Sequence, residues 1–275
     1  MPVYKAEGIV LRQQTLGEAD RIVTLFTREF GKLRAVAKGV RRPTSRLCAR
    51  IEPFTHGRFL LARGRTLDVI AQAEIVSAFA GLRTDLMRSA HATYVAELID
   101  RGLPDRDRHE EVFVLTRDAL DALERAAEDG AEMAVLRFAL RLTGFLGYQP
   151  ETETCVECGR RLPRGHGVAE PWAFSPLRGG ALCPACRAQD AEAVAASPGV
   201  LAAFDYLART PDHQSARIRM TTAQRGGLSR LVQLHLEHRL ETKLRSPLVI
   251  RRLSEPRPPR PADSATPITR SRPSD

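Results

Sequence analysis

The stretch Arg21–Ala37, RIVTLFTREFGKLRAVA, decides the fold of the first third of the chain. Its first seven residues are rich in β-branched side chains, which favour a strand, and Leu33–Ala37 has the character of a second strand. Between them, Glu29-Phe-Gly-Lys32 has the composition of a tight turn. The stretch therefore predicts two antiparallel strands joined as a hairpin.

Three further strands are predicted around this hairpin, at Val3–Leu11, Pro53–Leu61 and Thr66–Ala73. Five short strands within about 75 residues leave no room for crossover helices, so we expect a small antiparallel barrel. The leading prediction is a five-stranded OB-fold over residues 1–79, a fold that commonly binds nucleic acid. An SH3-like barrel has nearly the same number of strands and stays open as an alternative.

From about Ala80 the apolar residues recur three or four positions apart, which is the period of a helix. Helices are predicted at Ala80–Arg101, Glu110–Glu128, Ala131–Leu146, Pro198–Arg209 and Thr222–Lys243. We expect an all-α domain over residues 80–253, so the fold class is α+β with more than one domain. Residues 254–275 are rich in Pro, Ser and Arg, which predicts a disordered tail.

Four of the five cysteines form two Cys-x-x-Cys pairs separated by 24 residues: Cys155, Cys158, Cys183 and Cys186. Each pair can present two thiolates to one side, and two pairs complete the tetrahedral sulfur shell of a structural zinc ion. A redox dithiol needs only one such pair beside a strand–helix unit, so zinc is the favoured interpretation. We expect one zinc ion per chain, in a module at residues 150–190 inserted within the helical domain.

Positive charge is concentrated near the N-terminus. Residues 1–80 carry 14 basic and 7 acidic side chains, in a chain whose net charge is +9. Within residues 33–51 there are six cations and no acid. Because loops of OB-folds commonly contact nucleic acid, we predict DNA contacts in the basic segment, residues 34–46. The predicted contact residues are Arg34, Lys38, Arg41, Arg42 and Arg46.

Motifs of several enzyme classes are missing from the sequence. It contains no phosphate-binding Gly-x-x-x-x-Gly-Lys-Ser/Thr loop, no Gly-x-Ser-x-Gly elbow and no His-Glu-x-x-His helix. We therefore expect a protein without catalytic activity. No apolar run approaches the roughly 18 residues of a membrane span, and the cysteine pattern is not that of a secreted disulfide framework. The expected location is the cytoplasm, in association with the nucleoid.

The motifs together resemble those of a known family. EGIVLR at residues 7–12, GEADRIVTLFTREFGKLRAVAKGVRRPTSR at 17–46 and IEPFTHGRFLL at 51–61 precede a helical region with two Cys-x-x-Cys pairs. The combination resembles the bacterial DNA repair and recombination protein RecO and extends to about Leu253. The resemblance implies an N-terminal OB-fold and a helical domain interrupted by a zinc module.

The resemblance also implies a function. Proteins of this family bind single- and double-stranded DNA and anneal complementary strands. Together with RecR they promote loading of RecA onto DNA coated by the single-strand-binding protein, whose acidic C-terminal tail they contact. For that tail we expect an apolar groove in the helical domain with a basic rim drawn from Arg217, Arg219, Arg225, Arg230 and Arg239.

Two alternatives from other functional classes stay open at this point. A basic OB-fold would serve equally well in an RNA-binding or ribosome-associated protein. The chain could also be a non-catalytic interaction scaffold in which the helical domain is the working part and the charge is incidental.

Overall fold

The computed structural model describes residues 2–127, 130–163, 172–210 and 218–255. Five strands form a closed barrel with the order β1-β2-β3-β5-β4, in which only β3 and β5 run parallel. Their bounds are β1 Val3–Leu16, β2 Asp20–Thr27, β3 Gly31–Ala37, β4 His56–Ala62 and β5 Asp68–Ser77. This topology is that of the OB-fold and confirms the leading prediction over the SH3-like alternative.

The five strands differ from their predicted bounds by up to five residues. β5, predicted at Thr66–Ala73, runs from Asp68 to Ser77. β1 continues past Leu11 to Leu16, because its polar end pairs with the start of β2 in a hairpin longer than the apolar pattern shows. β4 begins at His56, not at Pro53. Phe54 has a positive φ of 71° and donates its amide to the carbonyl of Val10 at 2.7 Å, which places it in a turn before the strand.

The barrel has an interior core of its own and a second apolar face. Val23, Leu25 and Leu61 point inward and are fully buried. Phe26 and Ile9, from the same sheet, belong instead to the apolar core of the helical region. The β1–β2 side of the barrel is therefore covered by helices.

The described residues of the C-terminal region contain eight helices. They are α1 Gly81–Thr84, α2 Leu86–Gly102, α3 Glu110–Arg125, α4 Gly130–Phe145, α5 Pro184–Arg187, α6 Pro198–Arg209, α7 Thr222–Arg239 and α8 Ser246–Ser254. The prediction of a helical region after the barrel is confirmed. No helix within the described ranges combines the length and the apolarity that crossing a membrane requires.

Three predicted helices differ in detail. The helix expected from Ala80 to Arg101 is broken at Asp85, whose extended backbone and side chain cap α2 by accepting the amide of Arg88 at 2.7 Å. α7 ends at Arg239, and α8, which no prediction included, follows it. α3 ends at Arg125; the predicted end at Glu128 lies outside the described residues, as does the predicted tail beyond residue 255.

A small sheet lies between α4 and α6 along the chain and carries the cysteines at its margin. Its strands are β6 Ala173–Ser175, β7 Gly180–Leu182 and β8 Val194–Ala195, in the order β7-β6-β8. Trp172 and Phe174 are fully buried and join this sheet to the apolar core of the helices. The cysteine module is thus packed into the helical domain.

Candidate functional site

The four predicted cysteines come together in one cluster. The sulfur atoms of Cys155, Cys158, Cys183 and Cys186 all lie within 4.8 Å of one another. Four bonds of about 2.3 Å from a tetrahedral zinc ion place the sulfurs roughly 3.8 Å apart. The Sγ atoms of Cys158 and Cys183 are separated by 3.7 Å, so the cluster fits zinc. The predicted clustering of the four cysteines is confirmed, and its geometry is that of a zinc site.

Local sequence explains how each pair of cysteines is shaped. After the first pair, Gly159 adopts a positive φ of 72° and donates its amide to the carbonyl of Cys155 at 2.9 Å, which closes a knuckle. In the second pair, Pro184 begins α5, and the carbonyl of Cys183 accepts the amide of Cys186 at 3.1 Å. Both turns direct two thiols to the same side.

Ionisation of the cluster depends on a cation. The pKa of Cys186 is raised to about 12, first by its hydrogen bond with Cys183 and then by burial. Four neighbouring thiols cannot all lose their protons at neutral pH unless a positive charge balances them. Zinc would supply that charge. With four protein ligands the coordination shell is closed, so the centre stabilises the fold and leaves no position for a reacting water molecule.

The metal module contacts the helices through a buried aromatic cluster. The rings of Phe174 and Phe204 stack with centroids 5.7 Å apart, and His235 of α7 meets Phe174 edge-on at 5.7 Å. The Nε2 atom of His235 donates to the carbonyl of Tyr148 at 2.6 Å. Burial lowers the pKa of His235 to about 4, so the ring is neutral at pH 7.

Three cations of the basic segment lie beside the turn that joins β1 and β2. The amide of Arg41 donates to the carbonyl of Ala19 at 3.0 Å, and the amide of Gly39 donates to Asp20 at 2.7 Å. These bonds hold the backbone, while the side chains of Lys38, Arg41 and Arg42 are exposed. Within the described part of the chain none of the three forms an ion pair.

Arg34 and Arg46 have different surroundings. Arg34 points outward from β3 and lines a cleft of about 690 Å³ between the barrel and helices α2 and α8. Arg46 lines a separate groove on the β1, β4 and β5 side, where Glu7, Glu29 and Glu74 are also present. The structure therefore does not bring all five predicted contact residues to one surface, and Arg46 stands apart from the others.

Further basic residues, which sequence reasoning did not single out, lie in other parts of the chain. Arg63 and Arg65 lie in the turn between β4 and β5, one of the loops with which OB-folds bind oligonucleotides. Arg101 of α2 and Arg245, just before α8, line the same cleft as Arg34. The composition of the β4–β5 turn could have indicated the first two. The position of Arg101 and Arg245 beside Arg34 is shown only by the three-dimensional fold.

An OB barrel is a fold that commonly binds nucleic acid, and here it is joined to a helical domain whose closed four-cysteine centre has no position for a catalytic water molecule. The family described as Recombination protein O N terminal matches residues 1–79, and the family described as Recombination protein O C terminal matches residues 83–248. The two matches meet near the point where the barrel ends and the helices begin.

Similar proteins cover nearly the whole chain. DNA repair protein RecO of Pelotomaculum thermopropionicum is 39% identical over 246 residues, which span 90% of this chain and 93% of that protein. The RecO proteins of Symbiobacterium thermophilum and Heliobacterium modesticaldum are 36% and 38% identical, over 90% and 91% of this chain and 96% and 90% of theirs. The chain belongs to the RecO family of DNA repair proteins, which act as recombination mediators without catalysis.

Proposed function

We propose that this chain binds single- and double-stranded DNA through its basic segment, anneals complementary strands, and promotes with RecR the loading of RecA onto DNA coated by the single-strand-binding protein. One observation carries the DNA-binding part. Lys38, Arg41 and Arg42 are exposed side by side on a fixed loop of an OB barrel, and they have no acidic partner among the described residues. Such cations are free to replace the counterions of a phosphate backbone.

The composition of the barrel favours contacts to phosphate over contacts to bases. Of the four phenylalanines nearest the basic segment, Phe26, Phe54 and Phe59 are buried and only Phe30 is partly exposed. Stacking on bases therefore contributes little, and the proposed binding has little sequence preference. Annealing requires such an interface, because two polyanions must be brought together whatever their sequence.

The test is the salt dependence of binding. Each phosphate contact on single-stranded DNA contributes about −0.7 to the slope of log K against log salt concentration. The double variant Lys38→Glu, Arg42→Glu removes two contacts, so we expect the slope to flatten by about 1.4 and both forms of DNA to bind more weakly. Fluorescence anisotropy with labelled oligonucleotides measures both effects, and a strand-annealing assay should show a parallel loss.

A matched control separates local contacts from net charge. Arg125→Glu with Arg209→Glu makes the same change in charge on α3 and α6, where both arginines pair with an acid of their own helix. We expect the control to retain the wild-type slope. A folded Lys38→Glu, Arg42→Glu variant with an unaltered slope would show that these cations have another purpose.

The RNA-binding alternative makes a different prediction for competition. If DNA is the ligand of this surface, unlabelled single-stranded DNA displaces the bound probe at lower concentration than RNA of the same sequence. Stronger displacement by RNA would favour the alternative. With DNA as ligand, the proposed place of action is the cytoplasm, at the nucleoid.

For the tail of the single-strand-binding protein we propose a groove of about 700 Å³ formed by α2, α4, α7 and α8. Leu136, Leu234 and Ile250 line its apolar part, and the exposed Arg230 and Arg251 lie at its margin. An aromatic terminus fits the apolar part, while the arginines suit acidic residues before it. Of the arginines expected at the rim, only Arg230 lines the groove in the described residues; Arg217 lies outside them.

Titration with an acidic peptide that ends in phenylalanine tests this groove. Because hydrogen bonds to charged groups contribute about 1.5–3 kcal/mol each, Arg230→Glu with Arg251→Glu should weaken binding at least about tenfold. The matched control is Arg219→Glu with Arg252→Glu, two exposed arginines that do not line the groove. Equal loss in both double variants would assign the effect to general charge and not to this site.

A further inference from the structure

The cleft between the barrel and the helices has a surplus of positive charge. Five cations line it: Arg12, Lys32, Arg34, Arg101 and Arg245. Three acids line it as well: Glu97, Asp100 and Asp105. Gln14, Thr24, Thr93 and Ser246 add polar groups of the kind that contact phosphate in nucleic-acid complexes.

The acids of the cleft are already engaged. Asp100 pairs with Arg12 at 2.9 Å and with Lys32 at 3.5 Å, and Asp105 pairs with Lys32 at 3.4 Å. Glu97 accepts the amides of the two residues at the start of α8, at 2.9 and 2.8 Å, so its charge already balances the positive end of that helix. Arg12 and Lys32 thus neutralise the acids and are not available to a ligand.

Three arginines keep their charge for a ligand. Arg101 and Arg245 are exposed and have no ion-pair partner among the described residues. The side chain of Arg34 is 53% exposed, and its one acidic partner among the described residues, Asp105, lies 4.0 Å away. At such a distance in water the attraction amounts to about 1 kcal/mol, which an incoming phosphate can replace.

The cleft continues the surface formed by the basic segment. Arg34 lies on β3, and Lys38 follows immediately after the end of that strand. Four residues of a strand span about 13 Å, so one flexible chain of nucleotides can reach from the exposed loop into the cleft. A volume of about 690 Å³ is that of a site for a small molecule, whereas a rigid double helix is too wide to enter.

We infer that this cleft anchors a single strand of nucleic acid, with Arg101 and Arg245 of the helical region contacting phosphates next to Arg34 of the barrel. The inference rests on the proposed DNA-binding function and gives the single strand a path that a duplex does not share. The barrel and the helical domain then both contribute to one binding surface. A duplex is held by the exposed loop alone.

The test uses Arg101→Ala with Arg245→Ala in the full chain and leaves the basic segment intact. Two lost contacts should flatten the salt slope for single-stranded DNA by about 1.4. Between 50 and 200 mM salt, the loss of affinity should then be about sevenfold smaller than in the wild type. We expect the slope for duplex DNA to stay unchanged, and Arg101→Lys with Arg245→Lys to restore the single-strand slope because the charge is retained.

Controls distinguish this inference from the function on which it rests. Arg117→Ala with Arg125→Ala removes the same charge from α3, where each arginine pairs with an acid, and should leave both slopes unchanged. A wild-type single-strand slope in the cleft variant, or equal flattening for both forms of DNA, overturns the inference. The inference is also overturned if the cleft variant loses binding to a polyglutamate peptide while its binding to DNA is unchanged. The cleft would then be a site for an acidic protein. If the proposed function itself fails, the Lys38→Glu, Arg42→Glu variant keeps the wild-type slope as well.

Discussion

Trp172 and Phe174, which join the zinc module to the helical domain, are fully buried, whereas several of the ion pairs around the barrel's contact with the same domain are open to solvent. Arg28 donates to Glu110 at 2.8 Å with 43% and 40% of their side chains exposed. Both neighbours are packed against the helices through apolar side chains, which for the barrel include Phe26 and Ile9. Only the barrel's contact is surrounded by exposed charge pairs as well. Apolar contact is insensitive to salt, while pairs of exposed charges are screened by it.

Lys32 is a charged residue of the barrel that is nearly buried at the contact with the helices. Only 9% of its side chain is exposed. Its Nζ atom donates to the carbonyl of Asp100 at 2.5 Å and lies within 3.5 Å of two carboxylates. Gly31 beside it has a positive φ of 64°, and a Cβ there would overlap the carbonyl of Asp107. Beside its apolar contact through Phe26 and Ile9, the barrel therefore has a tightly fitted polar contact at its charged margin.

The largest expected effect comes from breaking the zinc module. Metal binding at structural sites supplies folding free energy, roughly 10–16 kcal/mol in isolated zinc-finger peptides. We expect Cys155→Ser to abolish zinc binding and to lower the free energy of unfolding by several kcal/mol, measured by denaturant titration together with metal content. Cys48→Ser, at the cysteine outside the cluster, is the control and should retain one zinc per chain. Wild-type protein without zinc and with all four thiols freely titratable would contradict the assignment.

Lowering the pH should have a smaller effect on the free energy of unfolding. This effect arises at His235, in the buried aromatic cluster. The pKa of His235 in the folded chain is about 4, below its usual value near 6.5, so the unfolded chain binds this proton first. Stability is therefore unaffected above pH 6.5 and falls as the pH decreases towards 4. At pH 5.5 the expected loss, relative to high pH, is about 1.4 kcal/mol.

The variant His235→Gln isolates this contribution. It should be less stable at pH 7 but should lose less on acidification than the wild type does. His91, whose pKa burial also lowers, adds a loss of the same sign that both proteins share. Zinc content measured at each pH excludes metal release as the cause. The same pH dependence in variant and wild type would show that His235 is not the titrating group.

The third effect, of similar size to the second, concerns the barrel's margin. Lys32→Met removes two ion pairs and a hydrogen bond while keeping the apolar length of the side chain, so we expect a loss of about 1–2 kcal/mol. The difference from the wild type should shrink in high salt, because the carboxylates are partly exposed. Lys38→Met, at an exposed lysine without a partner among the described residues, should change stability by less than about 0.5 kcal/mol. A salt-independent loss would mean that the contact is held by packing.

The barrel and the metal centre could be predicted because their signals are local. Alternation of apolar residues marks a strand, and the Cys-x-x-Cys spacing fixes the chemistry of the centre before any fold is known. Asp85, which caps α2, was not predicted, because the apolar period on both sides of it concealed the break.

Other features depend on contacts between distant parts of the chain. α8 begins where Glu97, about 150 residues earlier, accepts its first amides, and no local pattern announces such a cap. The placement of Arg101 and Arg245 beside Arg34 likewise requires three separate elements to meet. The charge composition of the sequence identified the basic segment. It did not show that Arg46 lines a different groove from the other cations of that segment.

The chain contains a single tryptophan, Trp172, and it is buried where the zinc module meets the helices. Its fluorescence is therefore a label-free optical reporter placed in one region of the molecule. Emission should lie at short wavelength while the module is docked and shift to longer wavelength when water reaches the indole. Because the barrel has no tryptophan, changes confined to it should leave the spectrum unaltered. A single measurement of tryptophan emission can thus distinguish undocking of the metal module from loss of the barrel's contacts.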